Sequence, residues 1–127
     1  MSHFTKVSTA NIVSKDSFIA AVKELGFKDI KENGTIRGWS GQKVQMDVAV
    51  TVPDSKYDFG IKRSADGKTF DLIAEDYLNK YEKPGILGKV IQYTTKHTLV
   101  QKYRMQGFTA RVSVDAKTLA MTVSLTK

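Results

Sequence analysis

The sequence predicts an α+β fold, an antiparallel sheet with two helices packed on one face. Three observations predict it. Over residues 43–52, Val44, Met46, Val48, Val50 and Val52 alternate with Lys43, Gln45, Asp47, Ala49 and Thr51, the two-residue period of a strand with one buried face. Shorter alternating runs nearby are separated by turn sequences, the spacing of strands joined by short loops. Two further segments, one near the start and one after the strands, instead carry apolar residues three or four apart, the helical period. Strands grouped between helices, rather than alternating with them, give the α+β order.

Residues 5–9 read as a first strand. Ser14 or Asp16 then offers a side-chain oxygen to the free amides of a helix, whose buried stripe is Phe18, Ala21, Val22 and Leu25. Gly26 supplies the left-handed residue that ends it. Residues 28–32 and 35–39 flank Asn33-Gly34, a dipeptide that tolerates the positive φ angles of a two-residue hairpin turn. The alternating strand over 43–52 follows, and Pro53-Asp54-Ser55 turns the chain back. Tyr57, Phe59 and Ile61, then Phe70, Leu72 and Ala74, continue the alternation on either side of Ser64-Ala65-Asp66-Gly67, which completes an antiparallel meander.

Pro84 fits the first turn of a long helix over 84–106, where its missing amide costs nothing, and Gly107 closes that helix. Around it Ile86, Leu87, Val90, Ile91, His97 and Met105 share the arc toward the sheet, while Lys89, Gln92 and Lys96 lie on the other. Phe108, Ala110, Val112 and Val114, then Leu119, Met121, Val123 and Leu125, form a last hairpin about Asp115-Ala116-Lys117-Thr118. With both helices on one face, the other is solvated or open to a partner. A ferredoxin-like core with added strands is the simplest topology of this kind.

The 127 residues are read as a single domain, 1–127, with enough chain to bury a core of its own. Hydrophobic residues at 41% and charged residues at 26% are the balance of a folded globular chain. No run approaches the length of a membrane span, and the start Met1-Ser2-His3-Phe4-Thr5-Lys6 lacks the apolar core of a secretory signal. The expectation is a cytoplasmic protein, in host cytoplasm if phage-encoded, with no membrane partner. Absence of cysteine excludes disulfides, thiolate zinc, cysteine-ligated iron–sulfur clusters and a cysteine nucleophile. A net charge of +7 attracts polyanions or acidic protein surfaces, although the basic residues are spread along the chain.

Candidate chemistry is sparse. His97 is the one histidine in the long helix and the first side chain to consider as a catalytic base, yet no serine or acid stands at a recognisable spacing, so it reads as a hydrogen-bonded core histidine. His3 can join backbone nitrogens around copper or nickel only while Met1 remains attached, and no metal or cofactor is expected. Asp58-Phe59-Gly60 spells the magnesium triplet of protein kinases without the glycine-rich and catalytic loops that give it meaning, and reads as strand. Asp71, Glu75 and Asp76 read as a solvated strand end rather than a calcium site.

Two surface features remain. In Arg37-Gly38-Trp39-Ser40-Gly41-Gln42, a planar cation and the only tryptophan stand between glycines that let a backbone approach. The turn anchors a partner, or else Trp39 plugs the end of the core. Lys80, Lys83, Lys89 and Lys96 precede or line one side of the long helix and can follow a phosphate backbone, or else form a solvated face.

The opening Met1-Ser2-His3-Phe4 with Lys6, the helix end Leu25-Gly26, Arg37-Gly38 through Gly41-Gln42, Asp47, Tyr57-Asp58 with Gly60, Gln92-Tyr93 and Gln106-Gly107-Phe108 occur in an order and spacing that span nearly the whole chain. Together they make the sequence resemble the small proteins typified by chloroplast hypothetical reading frame 35. That resemblance implies relatives in cyanobacteria, plastids, other bacteria and phages, and attaches no activity. The basic balance and the Asp115 hairpin depart from plastid members and point to a bacterial or phage source. The resulting expectation is a non-enzymatic binding or accessory protein that contacts a protein partner through an exposed sheet face and the turn containing Arg37, Trp39 and Gln42. Electrostatic binding of RNA or DNA through Lys80, Lys83, Lys89 and Lys96 is the alternative.

Overall fold

The structure, a computed structural model, describes residues 4–8 and 12–127, with side chains from Ile12 onward except that of Trp39. Strand β1 (Phe4–Ser8) precedes helix α1 (Lys15–Glu24), whose start is fixed by Ser14: its Oγ accepts from the amide of Ser17 at 3.3 Å. The helix ends as Gly26 turns to φ +99, so that Gly26 N donates to Lys23 O and Phe27 N to Val22 O, each at 3.0 Å. This pair of bonds satisfies carbonyls that the last turn leaves open.

Next come β2 (Ile30–Glu32), β3 (Thr35–Arg37), β4 (Lys43–Gln45) and β5 (Val48–Val50). Asn33-Gly34 is not the hairpin turn expected of it. Ile30 pairs with Val50, Glu32 with Val48, Thr35 with Gln45 and Arg37 with Lys43, one unbroken register that places the reversal at residues 38–42. Asn33 adopts φ 55 and bends the long hairpin in its middle, where Asn33 N donates to Asp47 O and Met46 N to Gly34 O. Gly34 is needed there for proximity, since a Cβ would lie 3.1 Å from those of Ala49 and Lys31.

The bend also breaks the alternation expected through 43–52. Val48, Val50 and Val52 enter the main core, whereas Val44 and Met46 gather with Ile36, Ala49 and Ile73 in a second, smaller cluster. The distal half of the hairpin therefore folds over the face of the sheet away from the helices. Gly60 makes the fold-over possible: a side chain there would strike the Val48 carbonyl and come within 2.9 Å of Met46 Cγ. The expectation of an open second face is corrected accordingly, because apolar residues of this chain cover part of it.

β6 (Phe59–Arg63) and β7 (Phe70–Glu75) complete an antiparallel sheet in the order β1-β7-β6-β5-β2. Phe18 and Val22 from α1 meet Phe59, Ile61, Leu72 and Ala74 from the sheet, and Ile86, Leu87 and Val90 close the same core from α2 (Ile86–Met105). Phe59 makes T-shaped contacts with Phe18 and Phe27 at ring separations of 6.4 and 5.2 Å. The fold is thus the α+β arrangement expected, with both helices on one face.

Between β7 and α2 lies a wide helical turn, Leu78–Glu82, in which Lys83 N reaches back five residues to Leu78 O at 2.7 Å. Pro84 precedes the long helix rather than opening it, and Gly85 at φ 75 separates turn from helix. Met105, expected on the buried arc, is exposed because the helix has by then run past the core. The chain then forms a separate ribbon, β8 (Thr109–Val114) with β9 (Met121–Thr126), packed on α2. No strand re-enters the main sheet after α2, where a ferredoxin-like core would return one.

Candidate functional site

The hairpin tip is held in place from within. Arg37 ends β3 with its guanidinium turned onto Asp58, Nε to Oδ2 at 2.9 Å and Nη2 to Oδ1 at 2.8 Å, a bidentate pair. The backbone amides of Arg37 and Val52 also donate to that buried carboxylate, at 2.8 and 3.1 Å. Nη2 further reaches Val52 O and Ser55 O. One side chain thus fastens the tip to the loop 52–58, and its bond to Asp58 raises the guanidinium pKa further above its ordinary range. The letters of Asp58-Phe59-Gly60 accordingly each do structural work: ion pair, core ring and close approach.

Two concavities flank that loop. A shallow one of about 540 Å³ lies at the tip, bordered by Arg37, Ser40, Gln42, Lys43, Lys56 and Tyr57. A larger one of about 1260 Å³ lies on the other side of Tyr57, between the loop and the wide turn. Tyr57, Tyr77 and Tyr81 run along it with ring centres 6.0 and 5.1 Å apart, inclined at 66° and 46° rather than parallel. The wide turn sets Tyr77 and Tyr81 on the same side while Leu78 anchors it in the core. Ser55 ties the two walls, its hydroxyl donating to Glu82 at 3.1 Å and accepting from Tyr57 N.

Glu75, at the end of β7, also lines the larger cleft. It is 4% exposed, and its Oε2 has no hydrogen-bond partner among the described residues. Asp71, four residues earlier on the same face, is buried and accepts from Ser64 Oγ at 2.7 Å. These acids are therefore not the solvated strand end expected from the sequence.

The predicted site residues separate. Gln42 is exposed at the tip, Arg37 is spent on its own chain, and the side chain of Trp39 lies outside the described residues, as does His3. The four lysines do not form one path. Lys96 is 19% exposed and donates to Glu24 at 2.6 Å, so it belongs to the seam between the helices, not to a solvent-facing stripe. Lys83 stands 3.9 Å from Asp54, Lys80 borders the tyrosine cleft, and Lys89 borders a third concavity with Asp54 and Lys83. Gln92, expected on the exposed side, donates to Leu119 O at 2.6 Å and holds the terminal ribbon.

His97 shares the helix seam, its Nε2 2.7 Å from Glu24 Oε1. Burial raises the Glu24 pKa, but the hydrogen bonds from Lys96 and His97 outweigh it and hold the carboxyl below its ordinary value. Sequence reasoning missed the Arg37–Asp58 pair and the buried Glu75, neither of which has a local signature. The tyrosine row was missed as well, the available signal being the four-residue spacing of Tyr77 and Tyr81, one helical turn.

Among the described residues no group of three or more His, Cys, Asp or Glu side chains is placed to hold a metal ion, and no helix is long and apolar enough to cross a membrane. No curated protein and no solved structure matches the chain. A family model does match, over residues 21–123, and covers the last turn of α1, the bent hairpin, the tyrosine cleft, α2 and most of the terminal ribbon. The chain belongs to the family described as protein of unknown function, DUF1257.

Proposed function

We propose that this chain is a non-enzymatic binding or accessory module, and that it meets a protein partner through the hairpin tip. The observation that carries the reading is the Arg37–Asp58 clamp. It holds an exposed loop in one conformation through a charge pair whose carboxylate is buried, and so reduces the ordering that a partner would otherwise impose. The contact surface is the shallow concavity beside Gln42, Lys43 and Lys56, not the guanidinium itself. The covered sheet face no longer belongs to this reading. We further read the family likeness as extending to the chloroplast reading-frame-35 type, with a bacterial or phage source and a cytoplasmic setting.

The test is site-directed capture. A photo-cross-linking residue at position 42 should trap a partner that the same residue at Lys117, in the distant ribbon turn, does not. Trp39→Ala and Gln42→Ala should abolish capture with circular dichroism and melting unchanged. Equal trapping from both positions, or capture untouched by both substitutions, would reject the tip. Retention on RNA or DNA at low salt, lost on Lys80→Glu with Lys89→Glu, would instead favour the electrostatic alternative, which rests on the +7 charge.

A further inference from the structure

The larger cleft beside the tip has chemistry of its own. Glu75 brings a carboxylate to its wall that is more than nine-tenths buried and has an oxygen lacking a donor among the described residues. A buried, acceptor-only oxygen is costly to leave without a donor. Tyr57, Tyr77 and Tyr81 add a row of rings packed against one another along the cleft, and the largely exposed rings of Tyr77 and Tyr81 offer π surface to a cation.

Asp54, Glu75 and Glu82 border the cleft together with Lys56 and Lys80, and Lys83 stands 3.9 Å from Asp54, so these charges balance and the unanswered oxygen of Glu75 sets the preference. A cation with N–H donors satisfies both the orphan oxygen and the rings.

We propose that the cleft walled by Tyr57, Tyr77, Tyr81 and Glu75 binds an organic cation, an ammonium or guanidinium group. The group lies against the tyrosine rings and donates to the Glu75 carboxylate. It comes either from a free small molecule or from a lysine or arginine side chain of a partner protein. This site adjoins the tip surface, sharing Lys56 and Tyr57 with it, and is tested without a partner.

The experiment is titration calorimetry of the intact chain at low salt. The probes are arginine amide, spermidine, an arginine-containing peptide and the same peptide with uncharged citrulline in place of arginine. Saturable binding is expected for the free cations or the arginine peptide, and none for the citrulline peptide. Glu75→Gln, which keeps the shape and removes the charge, and Tyr81→Leu, at an exposed ring that the fold does not require, should each weaken binding by about tenfold. Binding of free cations without the peptide identifies a small-molecule site, and peptide binding identifies a partner side chain; both uphold the proposal. Should Glu75→Gln fail to fold by circular dichroism, Tyr81→Leu decides. No saturable heat from any cation at millimolar concentration, equal affinity for the citrulline peptide, or affinity unchanged in the folded variants would overturn it.

Discussion

Asp58 lies 21 residues from Arg37 and receives three hydrogen bonds from it, one from the backbone and two from the guanidinium. Removing Arg37 leaves a buried carboxylate with only Val52 N and Arg37's own amide as donors. Arg37→Met should lower unfolding free energy by about 2 to 3 kcal/mol, below the full loss for a buried pair because the guanidinium is partly solvated. Arg37→Lys should recover only part of it, since an ammonium cannot bond both oxygens in one plane. Urea denaturation of the two variants and of Asp58→Asn measures this; an unchanged midpoint in Arg37→Met would mean that the clamp adds nothing.

Gly60→Ala should cost about 2 to 3 kcal/mol, at the upper end for overpacking, because the new methyl meets the Val48 carbonyl as well as Met46. Combining it with Met46→Ala should return only part of that loss, since the carbonyl cannot yield. Melting temperatures of the single and double variants decide it.

The fold class was legible because burial imposes a period on sequence. Phe18, Ala21 and Val22, and the run from Val48 to Val52, announce helix and strand by spacing alone. Asn33-Gly34 misled for a physical reason: positive φ at Asn33 serves a bend as well as a turn, and only the long-range pairing of Ile30 with Val50 distinguishes them. The clamp and cleft were illegible because Arg37, Asp58 and Glu75 come from three separate strands or loops. Helical projection similarly assigned Lys96 to solvent, since it does not know that α1 will bring Glu24 alongside.

That helix seam has a pH signature. Glu24 is depressed below its ordinary value of 4.5 in the folded chain, so its contribution is present above the unfolded pKa and is lost as pH falls through the folded one. Glu24→Gln should remove on the order of 0.5 to 1 kcal/mol at neutral pH, the range of partly exposed pairs, and less at pH 3. Urea midpoints at the two pH values test the sign, and an equal loss at both would contradict it.

Ser14→Ala should cost about 1 kcal/mol through loss of the cap on α1. Ser14→Asp should hold stability, because a carboxylate also accepts from the Ser17 amide and faces the positive end of the helix dipole. Thermal melts of the two variants compare them directly.

The terminal ribbon belongs to a different mechanical unit from the sheet. β9 is exposed along nearly its whole length, Val123 and Leu125 included, while Gln92 grips Leu119 and Val112 is buried on the β8 side. With so little apolar area to lose, this ribbon can lift from α2 while Phe59 and its neighbours stay packed. Its amide protons should therefore trade with deuterium by local detachment, ahead of the whole-molecule opening that releases those of β6 and β7.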